Sequence, residues 1–332
     1  MKEVEKKVLK GPSDQATWWR TLIKSRETTL FLLIIVVSIV LSILKSNAFL
    51  DQKNFEAIAT GMIYDLLMAS GMTLVLILGG IDLSVGSVLA LTGVVTTMLI
   101  QQGVNVPLAI SLGLLLSMVI GAINGLFVAR FKIAPFIVTL GMMSVARGAA
   151  LVLTSGYMIS GLPDVYLEIS SGELLGIPYA IYTVVIVLAI FDYLLRNWKP
   201  LNQSFYVGNN PEAAAMSGIQ VVVVTFAGYT ICSFFAGLSA IFMTSRLAIG
   251  FAGFGLMAEL RAIAAAVIGG ASFAGGTGSV LGACLGVLLL AVINNGFVLL
   301  GGGPNWQQVV SGGILVVAVG VDAYRRRRER KE

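Results

Sequence analysis

Asp65, Asp82, Arg147 and Asp192 all stand inside otherwise apolar stretches of this sequence. A charge at mid-bilayer costs about 2.5 to 3.5 kcal/mol on insertion scales, so each marks either a function or a pairing. None belongs to a catalytic arrangement. The chain contains no histidine, which removes the commonest general base and metal ligand. Cys232 and Cys284 lie in apolar runs without CxxC spacing and read as small buried hydrophobes, not as redox or metal groups. No GxxxxGK[ST] phosphate loop exists, so any nucleotide hydrolysis that drives this chain belongs to another polypeptide. The residues call for no cofactor, no metal and no enzymatic role.

Asp82 sits in GGIDLSVGS (79–87), between two apolar stretches and beside Gly79, Gly80, Ser84, Gly86 and Ser87. Irregular backbone at membrane depth is tolerated only where protein buries it or a wet cavity adjoins it. The segment therefore predicts a broken span, with the Asp82 carboxylate capping backbone N–H groups freed at the start of the next helix. A proton relay is the sharper alternative for Asp82, but a relay needs a partner at matched depth. A second glycine-rich stretch, GGASFAGGTGS (269–279), predicts another broken or re-entrant segment. The amides and hydroxyls available to line a solute path are Ser84, Ser87, Asn124, Thr139, Asn294 and Asn295, with Gln307 and Gln308 near the last apolar run. Polar bonding between helices is the competing account of each.

A different chemistry is written in GNNPEAAAMSGI (208–219). Asn210 and Pro211 have the types expected at an N-cap and first helical position, and Glu212 suits the first turn. Ala213 to Met216 then make a short helix that Gly218 ends. Such a helix, held between two spans, is a suitable lever for a soluble partner; a plain surface connection is the alternative.

These residues are positioned by an oily scaffold. Of 332 residues, 57% are hydrophobic and 12% charged, about half the charge of an average soluble domain. A span of the hydrocarbon needs about 20 apolar residues. Candidates fall near 29–46, 58–79, 84–101, 107–129, 134–154, 179–196, 220–244, 258–274, 279–300 and 306–322, predicting an all-α integral membrane protein of about ten helices. The net charge of +5 is no nucleic-acid signal, because the basic residues collect in a tail at 1–28 and another at 323–332. Both tails are expected in the cytoplasm, around a membrane domain at 29–322. The first apolar run follows a long charged stretch and reads as a retained span, not a cleaved signal. Arg130, Lys132, Arg196 and Lys199 fall on loops that this map places inside, including the loop 197–219. The loop at 155–178 carries Asp164, Glu168 and Glu173 without a basic residue and is expected outside. Lys45, Lys53 and Arg246 run against the pattern.

Three ordered segments carry a resemblance. GMTLVLILGGIDLSVGSVLALTG (71–93), GNNPEAAAMSGI and AIAAAVIGGASFAGGTGSVLGACLGVLLLAVINNGFVLLG (262–301) are similar to motifs of the ribose/xylose/galactose-type sugar permeases of ABC importers, over nearly the whole chain. The resemblance implies a ten-helix permease of the bacterial inner membrane, paired with a second copy or a paralogue. It also implies a cytoplasmic ATP-binding subunit and an extracytoplasmic sugar-binding protein as partners. It carries Asn210, Pro211, Glu212, Ala213 and Gly218 to the contact with the ATPase. After Glu259 and Leu260 that family usually has an acidic residue, and this chain has Arg261. A transporter of a small polar solute driven by an ion gradient is the alternative function. It would call for paired intramembrane carboxylates.

Overall fold

The computed structural model describes residues 26–303 together with Val309, Gly312, Gly313, Val316 and Gly320. Most of the expected tenth span at 306–322, with Gln307 and Gln308, most of the N-terminal tail and the C-terminal tail lie outside the described residues. Among the described residues the chain is mostly helical: α1 (Arg26–Leu44), α2 (Ser46–Phe49), α3 (Gln52–Ile77), α4 (Val85–Gln101), α5 (Val106–Ala129), α6 (Pro135–Thr154), α7 (Asp164–Ser171), α8 (Tyr179–Asn197), α9 (Lys199–Asn209), α10 (Pro211–Met216), α11 (Val221–Leu247), α12 (Ala258–Ile268) and α13 (Val280–Leu299). A two-residue antiparallel pair, β1 (Glu173–Leu174) with β2 (Ile177–Pro178), interrupts the series.

Ten full-length spans are not what this structure supports. Seven described helices, α1, α3, α5, α6, α8, α11 and α13, are long and apolar enough to cross a membrane, and α4 is a shorter apolar helix of 17 residues. The stretch expected to span at 258–274 is helical for only 11 residues. At about 1.5 Å per residue that is roughly half a bilayer. Its helix stops at Gly269, where the run of glycine and small polar residues takes over. The loop at 155–178 holds a helix of its own. Its helix α7 is tied to α11 by Tyr166, whose hydroxyl lies 2.6 Å from Thr244 Oγ1, and by Ser245 Oγ, which donates to the Tyr166 carbonyl at 2.7 Å.

The centre of the molecule is α3, with 72% of its apolar window buried, packed among α8, α11, α12 and α13. Small residues let the helices close. Gly121 and Gly125 of α5 lie against the backbone of α11 at Tyr229 and Phe226, while Gly282 and Gly286 of α13 lie against Gly269 and Ala265. Packing of this kind replaces the hydrophobic drive that lipid cannot supply. Cys232 is buried where α11 meets Gly71 of α3, and both cysteines are free thiols.

Two irregular segments cross the interior. Residues 78–84 leave the end of α3 without helix and feed α4; residues 248–257 leave the end of α11 without helix and feed α12. They meet where α4 begins. A methyl group on Gly86 would collide with the carbonyl oxygen of Gly255, and one on Gly255 would collide with that of Gly86. Only two glycines permit this approach. Further out, Gly250 lies against Thr97 and bridges Ile159 through reciprocal backbone hydrogen bonds of 2.8 Å.

Unpaired carbonyls in such a segment are costly when water is excluded. Arg147 of α6 answers two of them: one guanidinium nitrogen donates to the carbonyl of Ala252 and, at 2.6 Å, to that of Phe254. Glu259, the second residue of α12, is within electrostatic reach of both Arg147 and Arg261. The expected outcome for Arg147→Met is a loss of stability of about 1.5 to 3 kcal/mol, read as a lower melting temperature of the purified protein in detergent. Gly148→Ala beside it, where an added methyl meets nothing within 4 Å, should leave that temperature unchanged.

Candidate functional site

The segment at 197–219 folds as two short helices joined by one extended residue. α8 ends at Asn197, Trp198 is extended, and α9 begins with Pro200 in its first turn. Asn210 is extended (φ −156°, ψ 101°) and closes α9 while capping α10: its Oδ1 accepts from the N–H of Glu212 at 3.1 Å and of Ala213 at 3.0 Å. Pro211 occupies the first helical position, where its missing N–H costs nothing. Gly218 takes φ +83° and ends the helix, with its N–H on the Ala215 carbonyl and that of Ile219 on Ala214.

One face of α10 is fastened down and the other is bare. Ala214 is buried against Val207 and Val224. Glu212, Ala213 and Ala215 are exposed, and Met216 shows 90% of its surface. An open cleft of about 620 Å³ adjoins this face, lined by Arg196, Asn202, Tyr206, Asn210, Ala213 and Gly218 among others. Asp192 pairs with Arg196 at 2.8 Å near its rim.

The end of α9 is joined to the break that follows α3 and to a further non-helical stretch at 269–279; these are the two broken segments at the junction. Gly208 lies flat against the Ile77 carbonyl and the Gly276 N–H, so that any side chain there would strike the Ile77 oxygen. That same oxygen accepts from Gly276 N–H at 2.8 Å. Gly275 (φ +84°) rests on the Gly208 carbonyl, and Gly276 packs on Asn209. Gly79 of the first break faces Ala274 of the second. The two discontinuous segments therefore meet the end of α9 at one backbone contact, two residues before the cap of α10. The sequence marks the short helix and the glycine-rich segments but not this junction. The glycine at 208, next to an Asn-Asn-Pro cap, was the signal available.

The first break is braced by a buried polar chain. Asp82 Oδ1 accepts from Ser84 N at 2.9 Å and from Ser84 Oγ at 2.6 Å, and Asn124 Nδ2 donates to Ser84 Oγ at 2.9 Å. Thr139 Oγ1 bonds Pro135 O at 2.9 Å and reaches toward Ile81 O at 3.4 Å. Asp82, Ser84, Asn124 and Thr139 are fully buried and Ser87 is 1% exposed. Gly80 is buried too, against the Tyr229 hydroxyl. Of the residues with amides or hydroxyls suited to a path, Asn294 and Asn295 stand apart. They are half-buried on α13 beside an open groove. Asn295 also exchanges two hydrogen bonds, of 2.7 and 3.2 Å, with Asn54 at the start of α3. Arg261, which has Glu259 two residues away, instead pairs with Asp65 of α3 at 3.3 Å.

No cluster of three or more histidine, cysteine, aspartate or glutamate side chains suited to a metal occurs among the described residues. A bundle with seven long apolar helices among its described residues, interrupted by glycine-rich non-helical segments, is the architecture of a polytopic membrane protein. The chain belongs to the family described as "Branched-chain amino acid transport system / permease component", whose model matches residues 54–319. It is a multi-pass permease of an ABC importer, without catalysis of its own. It is 39% identical to a ribose import permease protein of Bacillus subtilis (strain 168) over 295 residues, covering 88% of this chain and 90% of that protein. It is 36% identical to the ribose import permease protein of Escherichia coli (strain K12), covering 89% and 93%. An L-arabinose ABC transporter permease protein of Azospirillum brasilense is 33% identical, covering 85% and 83%. No solved structure matches.

Proposed function

We propose that this permease imports an aldose or a closely related neutral sugar across the bacterial inner membrane. Energy comes from a cytoplasmic ATP-binding subunit, and cargo from an extracytoplasmic sugar-binding protein. The observation that carries the cargo class is coverage: sugar permeases match this chain along 85 to 89% of its length. The family description names amino acids instead. Uptake of labelled D-ribose, L-arabinose, D-allose and L-leucine into vesicles bearing the assembled importer tests this. Accumulation of one aldose is expected, and accumulation of leucine alone would overturn the reading.

The mechanism follows from the junction at Gly208. The bare face of α10, from Asn210 to Gly218, seats on the ATP-binding subunit. Closure of that subunit displaces α10, and Gly208 passes the displacement to the Ile77 carbonyl and the Gly275–Gly276 turn. Both broken segments then shift, and the helices they interrupt re-pack. Counting each broken segment with its half-helix as one crossing, and adding the run at 306–322, gives ten passes. Both termini lie in the cytoplasm, where the basic tails favour them, and a second copy or paralogue completes the translocation path.

Asp82 serves here as a brace and not as a proton carrier. Asp82→Asn keeps an acceptor for Ser84 and is expected to retain at least a third of wild-type uptake. Asp82→Ala removes it and should lose at least 80%. Equal loss in both variants would favour a proton relay and the gradient-driven alternative.

A further inference from the structure

An open groove of about 570 Å³ lies between α3, the foot of the non-helical segment at 248–257, α12 and α13. Its walls differ in chemistry. One carries Asp65 and Arg261, the other Asn294 and Asn295, and Met62 and Val298 lie among its apolar lining. The ion pair is not sealed into the protein: the Asp65 side chain is 27% and the Arg261 side chain 30% exposed. Its contacts are slack. Arg261 Nε stands 3.4 and 3.3 Å from the two Asp65 oxygens, and Arg261 Nη2 stands 3.3 Å from Oδ1. Charge-assisted pairs normally close to about 2.7 to 2.9 Å. Arg261 is further held by the carbonyl of Leu256, at 3.4 Å. A carboxylate on α3 and a guanidinium on α12 so placed keep acceptor and donor capacity at the groove.

We propose that this groove is a holding site for a neutral polyhydroxylated solute. Asp65 accepts from one hydroxyl and Arg261 donates to its neighbour, while the apolar wall takes the C–H face and Asn294 supplies an amide from the far side. The pair sums to zero charge, which sets the cargo class. A solute carboxylate would claim Arg261 and leave Asp65 unpaired, and a solute amine would do the reverse. Both are penalised at low dielectric, whereas a neutral polyol satisfies both groups at once. The site rests on the sugar-import reading and adds the residues that select for neutrality.

An ion pair kept only for structure is replaceable by apolar residues of similar size at little or no cost in stability. A pair that grips hydroxyls is replaceable at the same small cost in stability, but not without loss of uptake. The test is therefore the double variant Asp65→Leu/Arg261→Met in the complete importer, in vesicles supplied with the binding protein and ATP. The expected result has three parts. Membrane abundance and melting temperature stay at wild-type values, ATP hydrolysis stimulated by the binding protein stays within about twofold, and aldose uptake falls at least tenfold. The single variant Asp65→Glu, which keeps the acceptor, should hold at least a third of wild-type uptake. Near-normal uptake by the double variant overturns the site while leaving sugar import standing. So does a parallel fall in uptake and ATP hydrolysis. Wild-type vesicles that accumulate no aldose overturn the import reading and the site with it.

Discussion

Gly208→Ala is expected to lower ATP-driven uptake at least tenfold, while the protein remains in the membrane at near-normal abundance. The cause is geometric. A methyl group on Gly208 would occupy the space of the Ile77 carbonyl oxygen, which already accepts from Gly276. Backbone atoms cannot step aside as a flexible side chain can. The end of α9 must then lift from the junction, and the push from α10 no longer reaches either break. The residual ATP hydrolysis of the assembled complex should persist without stimulation by the binding protein, which separates lost transmission from lost assembly. Gly141→Ala is the matching control, since a methyl there meets nothing within 4 Å. If Gly208→Ala transports like the parent, the junction is only packing.

The second large effect is expected at the other end of the lever. Gly218→Pro should bring uptake below detection. Gly218 holds φ +83° and its N–H caps the Ala215 carbonyl at 3.0 Å. Proline fixes φ near −65° and has no N–H, so α10 loses its stop and its return path into α11. The site is exposed, with no close neighbour for a side chain, so the bundle itself should tolerate the change. Gly218→Asn tolerates the left-handed conformation and should retain at least a third of wild-type uptake. Co-purification with the ATP-binding subunit is the direct readout. Gly218→Pro should lose the partner and Gly218→Asn should keep it.

Local signals made much of this legible in the sequence. The cap at Asn210 and the stop at Gly218 are set by side-chain and backbone chemistry within a few residues, so reading their types sufficed. The break around Asp82 was equally local, because glycine, serine and a carboxylate cannot continue an apolar helix. What joins these parts was not local. Arg147 meets its carbonyls 105 and 107 residues away, and Asp65 meets Arg261 at a separation of 196. No periodicity encodes such partners. The stretch at 258–274 was read as a full span because alanine and glycine keep its composition apolar, although glycine at 269 and 270 ends the helix after 11 residues. Nor does composition separate a buried polar brace from a solute lining. Ser84, Asn124 and Thr139 have the residue types of a path, yet are wholly enclosed.

In the proposed mechanism an external motor drives this bundle through α10. The measurement that bears on it most directly is accumulation of labelled aldose in proteoliposomes containing the purified permease. With the ATP-binding subunit, the binding protein and ATP, uphill accumulation is expected, and omission of the subunit or of ATP should leave solute at equilibrium whatever proton or sodium gradient is imposed. Accumulation on an ion gradient alone would contradict it.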